Sequence, residues 1–166
     1  VVLGDAPAAI INCAAFTDVD GAEDQEDVAL EVNGAGAGNL AHAAAEAGAR
    51  IVHVSTDYVF PGDATEPYVE SDATGPRTAY GRTKLAGELE VAAANPDHAI
   101  ARTAWLFGAQ GKNFVDTILK LAATRETLQV VADQEGCPTW AGHLAPALVT
   151  LAESDATGIF HAAGGG

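Results

Sequence analysis

A tyrosine, a lysine and a threonine are the residues of this sequence whose types and spacing favour catalysis. Tyr80 and Lys84 are four residues apart in a predicted helix, so their side chains share one helical face. A phenol with a pKa of about 10 exchanges protons poorly at neutral pH, but a neighbouring ammonium lowers that pKa. Thr56 follows a buried strand-like run at 51–54. A carbonyl oxygen bound between Thr56 and Tyr80 would be stabilised as an alkoxide when hydride arrives.

The elements that must position these residues alternate between strands and helices. Short apolar runs predict strands at 8–14, 51–54, 99–102, 128–131 and 158–161. Helical spacing of apolar residues predicts helices at 23–33, 39–47, 80–94, 114–124 and 144–153, and a turn-rich acidic stretch at 61–76 predicts a long exposed loop. This order predicts an α/β fold with an open, doubly wound parallel sheet. Ligands bind beyond the carboxyl ends of such strands, which is where Thr56 lies.

Length and charge limit the classes of function. The 166 residues fit one domain, and 23 acidic against 8 basic residues give a net charge of −15, which argues against a nucleic-acid partner. No apolar run is long enough to cross a bilayer and no secretory signal is evident, so we expect no membrane partner and a cytoplasmic location. Cys13, Cys137 and the five histidines lack the spacing of metal ligands, so no metal is expected.

The sequence is expected to be part of a longer protein. It contains no methionine, opens on an apolar run and closes on three glycines directly after a strand-like run. We therefore predict a single partial domain over 1–166.

Several motifs then match a known family in order and spacing. The main ones are V-S-T-D-Y-V-F (54–60), P-Y (67–68) and Y-G-R-T-K-L-A-G-E (80–88). Further matching stretches are N-C-A-A-F-T-D-V-D (12–20), V-N-G-A-G-A-G-N-L-A (32–41), R-T-A-W-L-F-G (102–108), N-F-V (113–115) and D-Q-E-G-C-P-T (133–139). Together they resemble the extended short-chain dehydrogenase/reductase superfamily and, within it, the dTDP-4-dehydrorhamnose reductases.

The resemblance implies a reaction and its catalytic residues. The family reduces the C4 ketone of dTDP-4-dehydro-6-deoxy-L-mannose to dTDP-L-rhamnose with NADPH or NADH, as part of dTDP-rhamnose biosynthesis. Its catalytic trio corresponds to Thr56, Tyr80 and Lys84. Ser55 is the alternative to Thr56 as hydroxyl donor, although side-chain alternation along a strand turns it to the other face.

The resemblance also implies binding residues and partners. The cofactor-contacting residues correspond to Ala14, Ala15, Phe16, Thr17, Val54, Tyr80 and Lys84, and the substrate-contacting residues to Thr56, Asp57, Tyr58 and Trp105. The substrate-binding region would begin at about residue 105 of a Rossmann-like domain. Lys112 and Asn113 either lie near the substrate diphosphate or simply start a solvated helix. The partner is a nucleotide-sugar, and the full-length protein is compatible with a homodimer.

The family's pattern extends beyond both ends of this sequence. By the resemblance, the chain starts at the fourth strand of the sheet, so the N-terminal βαβ unit with its glycine-rich phosphate loop is missing, as is most of the C-terminal substrate region. We expect the 166 residues alone to expose an apolar edge and to bind cofactor poorly.

Glycines at 34, 36 and 38 imitate a dinucleotide-binding fingerprint but lie in a helical pattern rather than after a strand. They are interpreted as packing glycines between helix and sheet, and Asn33 beside them as structural.

Two alternatives stay open: another nucleotide-sugar epimerase, dehydratase or reductase, and a non-catalytic homologue such as a methionine adenosyltransferase regulatory subunit. The joint presence of Thr56, Tyr80 and Lys84 favours an enzyme.

Overall fold

The main sheet is built from parallel strands. The computed structural model describes residues 4, 7–111 and 113–165. The strands are β1 (Ala9–Asn12), β2 (Arg50–Thr56), β3 (His98–Thr103), β4 (Leu106–Phe107), β5 (Thr139–Trp140) and β6 (Gly158–His161). In the main sheet the order is β1-β2-β3-β6, and each neighbouring pair is parallel. β4 and β5 form a separate parallel pair.

Helices connect these strands along the chain. They are α1 (Val19–Asp24), α2 (Glu26–Leu30), α3 (Gly36–Glu46), α4 (Ala79–Ala94), α5 (Phe114–Ala122) and α6 (Ala141–Glu153). A π-helical stretch, Glu31–Ala35, joins α2 to α3. A short 3-10 turn, Asp57–Val59, follows β2 directly. The predicted order of strands and helices is confirmed for the four strands of the main sheet and for the helices at 39–47, 80–94, 114–124 and 144–153.

Side-chain alternation along the strands fills a core on each face of the sheet. Ile51 and Ile100 pack with α3 and with Val91 of α4 on one face. Val52 and its neighbours on β3 pack with Leu144 of α6 on the other face. Because helices cover both faces, the fold is a Rossmann-like, doubly wound α/β sheet, as the sequence predicted.

The strand predicted at 128–131 is wrong. These residues form no regular structure, and Val130 and Val131 are 51% and 65% exposed. An apolar run becomes a strand only where a neighbouring strand completes its hydrogen bonds, and periodicity does not reveal that neighbour. The short strands β4 and β5 form nearby instead, and the sequence did not predict them.

The glycines at 34, 36 and 38 lie within helical structure, as predicted, but Gly34 and Gly38 face another helix rather than the sheet, and Gly36 is exposed. A Cβ added at Gly38 would lie 2.9 Å from Cβ of Glu90, and one added at Gly34 would lie 3.5 Å from Cβ of Ala86. Both contacts are on α4, so the glycines let α3 and the π-helical stretch approach that helix. The predicted helix–sheet contact is therefore corrected to a helix–helix contact.

β1 lies at one end of the described sheet, where Ile11 is 37% exposed. Within the described ranges, no helix has the combination of length and apolar composition needed to cross a bilayer.

Candidate active site

The carboxyl end of β2 presents a threonine with a fixed hydroxyl. Thr56 is buried and is the last residue of β2. Its Oγ1 accepts a hydrogen bond from the backbone N–H of Tyr58 at 3.2 Å and donates one to Oδ1 of Asp57 at 3.1 Å. These two bonds hold the hydroxyl at the start of the 3-10 turn, beside Asp57 and Tyr58. Burial raises the pKa of Asp57, which the hydrogen bond from Thr56 partly offsets.

α4 approaches this turn and the π-helical stretch closely because it has a glycine at each contact. A Cβ added at Gly81 would lie 2.2 Å from the carbonyl oxygen of Tyr58, and one added at Gly87 would lie 2.1 Å from that of Asn33. A side chain at Gly81 would push the helix away from the turn after β2, and one at Gly87 would push it away from the π-helical stretch. Thr78 caps the helix by accepting a hydrogen bond from the Gly81 N–H at 3.1 Å. The glycines of the Y-G-R-T-K-L-A-G-E motif thus set the position of Tyr80 and Lys84.

Tyr80 lies against the turn after β2 and remains protonated at neutral pH. Its ring packs edge-to-face on that of Tyr58, with ring centroids 5.6 Å apart. Burial raises the pKa of Tyr80, the charges of Asp57 and Tyr58 act in the same direction, and hydrogen bonding with Thr56 opposes them. This differs from the predicted lowering of the Tyr80 pKa by Lys84. A protonated phenol suits a proton donor, which is the role that a ketone reduction requires.

The amine of Lys84 hydrogen-bonds to the backbone of β2, whereas the sequence predicted that it would lower the pKa of Tyr80. Its Nζ donates to the carbonyl oxygen of Val54 at 2.7 Å and lies 3.4 Å from Nε2 of His53. Lys84 is only 2% exposed. Burial lowers its pKa to about 8, against the opposing charges of Glu88 and Cys13. Lys84 is therefore partly deprotonated just above neutral pH, unlike a surface lysine.

A buried histidine lies beneath Lys84. His53 is fully buried in β2, and its Nδ1 is 3.0 Å from the side-chain nitrogen of Asn12. Burial, together with the charge of Lys84, lowers the pKa of His53 to about 3, so the ring is neutral at physiological pH. Sequence reasoning did not select His53. The available signal was a polar residue inside a continuously apolar strand.

The predicted cofactor loop, 14–17, is tied to α4 through Asn33. Asn33 accepts the Phe16 N–H through Oδ1 at 2.8 Å and donates to the Phe16 carbonyl oxygen at 3.2 Å. Its amide also donates to Oγ1 of Thr83 at 3.0 Å, and that hydroxyl donates to the Tyr80 carbonyl oxygen at 2.9 Å. Asn33 is therefore structural, as predicted, but it specifically joins this loop to the helix turn that carries Tyr80.

Ser55 cannot readily replace Thr56, because its hydroxyl is engaged on the other face of β2. It donates to Oε1 of Glu88 at 2.5 Å. Arg102 of β3 binds the same carboxylate through two hydrogen bonds, of 2.9 Å and 2.7 Å, and both partners of this ion pair are buried. The network fixes α4 to β2 and β3. Both charged residues lie within the family motifs, but no feature of the sequence pairs them.

Trp105 lies at the carboxyl end of the strands, as Thr56 does, and its backbone conformation is strained. It follows Thr103, the register partner of Thr56, by two residues. Its φ of 44° lies in the left-handed region, and its side chain is 42% exposed. A Cβ added at Gly136 would lie 2.7 Å from the indole, so the 136 backbone packs directly on the ring. Strain at a non-glycine residue is a common feature of ligand sites.

The other predicted residues lie as follows. Asn113 caps α5 by accepting the Asp116 N–H at 3.0 Å, whereas Lys112 is outside the described residues. Among the residues that the structure describes, no three His, Cys, Asp or Glu side chains form a group able to hold a metal ion. The arrangement thus brings Thr56, Tyr80 and Lys84 to one edge of the sheet, with the loop 14–17 beside them.

Comparison with known proteins identifies related chains. A dTDP-4-dehydrorhamnose reductase from Sinorhizobium fredii is 48% identical over 168 residues, which cover 97% of this chain and 57% of that protein. A dTDP-4-keto-6-deoxy-D-glucose reductase from Streptomyces niveus is 48% identical over 161 residues, covering 96% of this chain and 56% of that protein. The crystal structure of dTDP-4-dehydrorhamnose reductase from Bacillus anthracis in complex with NADP superposes with a TM-score of 0.96 at 42% identity, covering 99% of this chain and 59% of that one.

The chain therefore spans a little more than half the length of the proteins it matches. A family model described as the RmlD substrate binding domain matches residues 1–166. Because this match extends over the whole sequence, the chain belongs to the RmlD substrate binding domain family.

Proposed function

We propose that the full-length protein containing this chain reduces the C4 ketone of dTDP-4-dehydro-6-deoxy-L-mannose to dTDP-L-rhamnose, with NADPH or NADH as cofactor. The observation that carries the proposal is the position of Thr56, Tyr80 and Lys84 at one edge of the sheet. The chain also shares 48% identity with a reductase named for this substrate. The product belongs to dTDP-rhamnose biosynthesis.

The three residues divide the work of the reaction. Tyr80 is protonated at neutral pH and donates its proton to the oxygen at C4 as that oxygen gains negative charge. Thr56, whose hydroxyl is held by the turn after β2, orients the same oxygen. The nicotinamide, when bound, supplies the hydride. Lys84 lies one helical turn from Tyr80 and contributes a donor to the nicotinamide ribose.

The residues at the ends of β1 and β2 fit a nucleotide cofactor. The proposed contacts are Ala14, Ala15, Phe16, Thr17, Val54, Tyr80 and Lys84. Ala14 and Ala15 are small, so the backbone of their loop allows a close approach, and Asn33 fixes that loop relative to Tyr80. The crystal structure of the Bacillus anthracis relative is a complex with NADP, which supports a nicotinamide nucleotide as the cofactor. We propose a Rossmann-like cofactor domain that gives way to the substrate-binding region at about residue 105.

The substrate contacts proposed are Thr56, Asp57, Tyr58 and Trp105. Asp57 and Tyr58 adjoin the catalytic threonine, so a sugar whose C4 oxygen reaches Tyr80 would meet them. Trp105 offers a half-exposed, flat apolar face that suits a deoxysugar ring, together with one N–H donor. The partner is therefore a nucleotide-sugar, and a homodimer of the full-length protein remains part of the proposal.

Tyr80→Phe in the full-length protein tests the assignment. We expect turnover of the keto-sugar, measured as loss of the absorbance of NADPH or NADH, to fall by roughly 10²–10⁴-fold, because the variant lacks the proton donor. Tyr68→Phe is the matched control, since Tyr68 stacks on Phe60 in the loop after β2 and is outside the proposed site. Unchanged turnover in Tyr80→Phe would contradict the mechanism.

The identity of the sugar is tested in the same assay. The Streptomyces niveus relative, also 48% identical, is named for dTDP-4-keto-6-deoxy-D-glucose, which favours this isomer as the second candidate. We expect a higher kcat/KM for the L-manno ketone. A higher kcat/KM for the D-gluco ketone would replace the substrate while leaving the roles of Thr56, Tyr80 and Lys84 in place.

A further inference from the structure

A chain of buried polar groups runs beneath Lys84, and the proposed reaction does not use it. It consists of Ala14, Asn12, His53 and Lys84, joined by contacts of 3.1, 3.0 and 3.4 Å. Asn12, His53 and Lys84 are all at least 95% buried. Because water has little access to these groups, the direction of each hydrogen bond is determined by its neighbours.

We infer that Asn12 and His53 are positioning residues that direct an N–H, rather than a lone pair, at the Lys84 nitrogen and so favour its neutral amine. The role in catalysis rests on the proposed function, but the protonation state itself does not. His53 lies in β2, two residues before Ser55. Its Nε2 contacts the buried side chain of Lys84, which projects from α4.

The direction of the chain starts at the backbone. The Ala14 N–H can only donate, so it requires the side-chain oxygen of Asn12, which accepts it at 3.1 Å. The amide nitrogen of Asn12 is then the group that faces Nδ1 of His53, at 3.0 Å. An amide nitrogen can only donate, so Nδ1 must accept. A neutral imidazole that accepts at Nδ1 carries its proton on Nε2.

The Nε2–H of His53 therefore faces Lys84, at 3.4 Å. An ammonium has three N–H donors and no lone pair, so it would oppose this N–H. A neutral amine has two N–H donors and one lone pair. One N–H donates to the Val54 carbonyl oxygen at 2.7 Å, the lone pair accepts from His53, and one N–H remains for a ligand.

Other charges around Lys84 do not reverse this preference. Glu88, on the same helix, and Cys13, after β1, favour the ammonium. The carboxylate of Glu88, however, is bound by two N–H groups of Arg102 and by the Ser55 hydroxyl, which compensate its charge. His53 is neutral at physiological pH. The balance lowers the pKa of Lys84 to about 8, with burial as the main cause.

This preference has a consequence for catalysis. After Tyr80 has donated its proton to the sugar oxygen, its phenolate must regain one. An ammonium of lowered pKa at Lys84, one turn along α4, gives up a proton more readily than an ordinary lysine. The resulting amine is the form that the His53 N–H stabilises, and it regains its proton on the side that faces the ligand, once the ligand has left and water can enter.

The protonation states can be measured directly in the full-length protein. Lysine labelled with ¹³C at Cε gives the pKa of Lys84, with the signal assigned by its loss in Lys84→Met, and ¹⁵N-labelled histidine reports the tautomer of His53. In the unsubstituted protein we expect Lys84 to titrate near pH 8 and Nδ1 of His53 to be unprotonated. A titration in the ordinary lysine range, or a proton on Nδ1, would overturn the inference.

Two variants then separate the hydrogen-bond effect from a simple charge effect. Asn12→Asp accepts on both sides, so it should move the proton of His53 to Nδ1 and raise the pKa of Lys84 by about one unit or more. His53→Leu should raise the same pKa without adding a charge, because it removes the N–H that opposes the ammonium of Lys84. His42→Gln, at an exposed position of α3, is the control and should change nothing.

The pH profile of turnover provides the link to function. If Lys84 acts as inferred, the alkaline limb of kcat/KM should shift upward in His53→Leu by the same amount as the measured Lys84 pKa. A profile that does not move while the pKa does would overturn the catalytic part of the inference. Absence of turnover with every keto-sugar would instead contradict the proposed function, and the two resonance measurements would still decide the protonation state.

Discussion

Two regions of the molecule contribute to the same edge of the sheet but differ in how they are packed. Around β2 and α4, the side chains of Thr56, Lys84 and Arg102 are 6%, 2% and 4% exposed. Between residues 105 and 140, α5 has no buried residue in the described structure, and Phe114 and Leu119 are each 66% exposed. The first region holds the proposed acid–base residues, and the second holds the proposed substrate contact Trp105.

The difference follows from what each region must do. Proton transfer depends on distances held within fractions of an ångström, so its residues benefit from a dense core with paired polar groups. A segment that binds a substrate needs side chains that the substrate can reach, so it buries less surface and stabilises the fold less. We therefore expect substitutions around β2 and α4 to reduce both stability and activity, and most substitutions in 105–140 to affect stability little.

The largest loss of stability is expected for Glu88→Ala. The variant leaves the Arg102 guanidinium buried without its carboxylate, and removing one partner of a buried ion pair costs about 3–5 kcal/mol. The measurement is the free energy of unfolding of the full-length protein in urea.

The matched control for this loss is Glu26→Ala. Glu26 makes the same two-bond contact with Arg82, but both side chains are more than 40% exposed. Water replaces the lost contact there, so only a small change is expected. Equal losses of unfolding free energy in Glu88→Ala and Glu26→Ala would contradict the expectation that the buried ion pair stabilises the fold more than the exposed one.

A loss of a few kcal/mol is expected when the pH falls from 6.5 towards 3, because of His53. Its pKa is about 3 in the folded protein against 6.5 as the ordinary value, so the unfolded chain binds the proton more tightly in this range. The contribution of His53 to the free energy of unfolding is therefore fully present above pH 6.5. It declines as the pH falls, by up to about 1.4 kcal/mol per pH unit.

Comparison of the unsubstituted protein with His53→Gln isolates this contribution, since carboxylate protonation is common to both. The two curves of unfolding free energy against pH should converge at acidic pH. Parallel curves across pH 3–6.5 would show that His53 is protonated in the folded protein and would remove it from the buried network.

The contrast between the regions also explains what the sequence could predict. Around β2 and α4, continuous apolar runs and a helical spacing that ends at Asn95 agree with the structure, because local pattern and burial coincide there. Thr56, Tyr80 and Lys84 were found through strand order and helical spacing. In 105–140 the helix predicted at 114–124 is present as α5, but the strand predicted at 128–131 is not, because Val130 and Val131 resemble a strand and have no strand beside them.

Long-range hydrogen bonds were beyond sequence reasoning in both regions. His53 and Asn12 are 41 residues apart, and Asn33 and Thr83 are 50 apart. A polar residue in an apolar run signals that a partner exists but does not identify it. The same limit accounts for the pKa of Tyr80. Spacing placed Lys84 one turn away, whereas the direction of its amine depends on the Val54 carbonyl oxygen.

The smallest effect is expected for Leu119→Ala in α5. Its side chain is already mostly in water, so truncation should change the free energy of unfolding by less than about 0.5 kcal/mol. Leu148→Ala in α6 is the same chemical change at a position only 5% exposed, where a cavity would cost about 2–5 kcal/mol. Both variants should be compared in the 166-residue chain and in the full-length protein. A loss at Leu119 that approaches the loss at Leu148 in the 166-residue chain would contradict the contrast. If Leu119→Ala destabilised only the full-length protein, the rest of that polypeptide would cover α5. The exposure of α5 would then be a property of the 166-residue chain and not of the full-length protein.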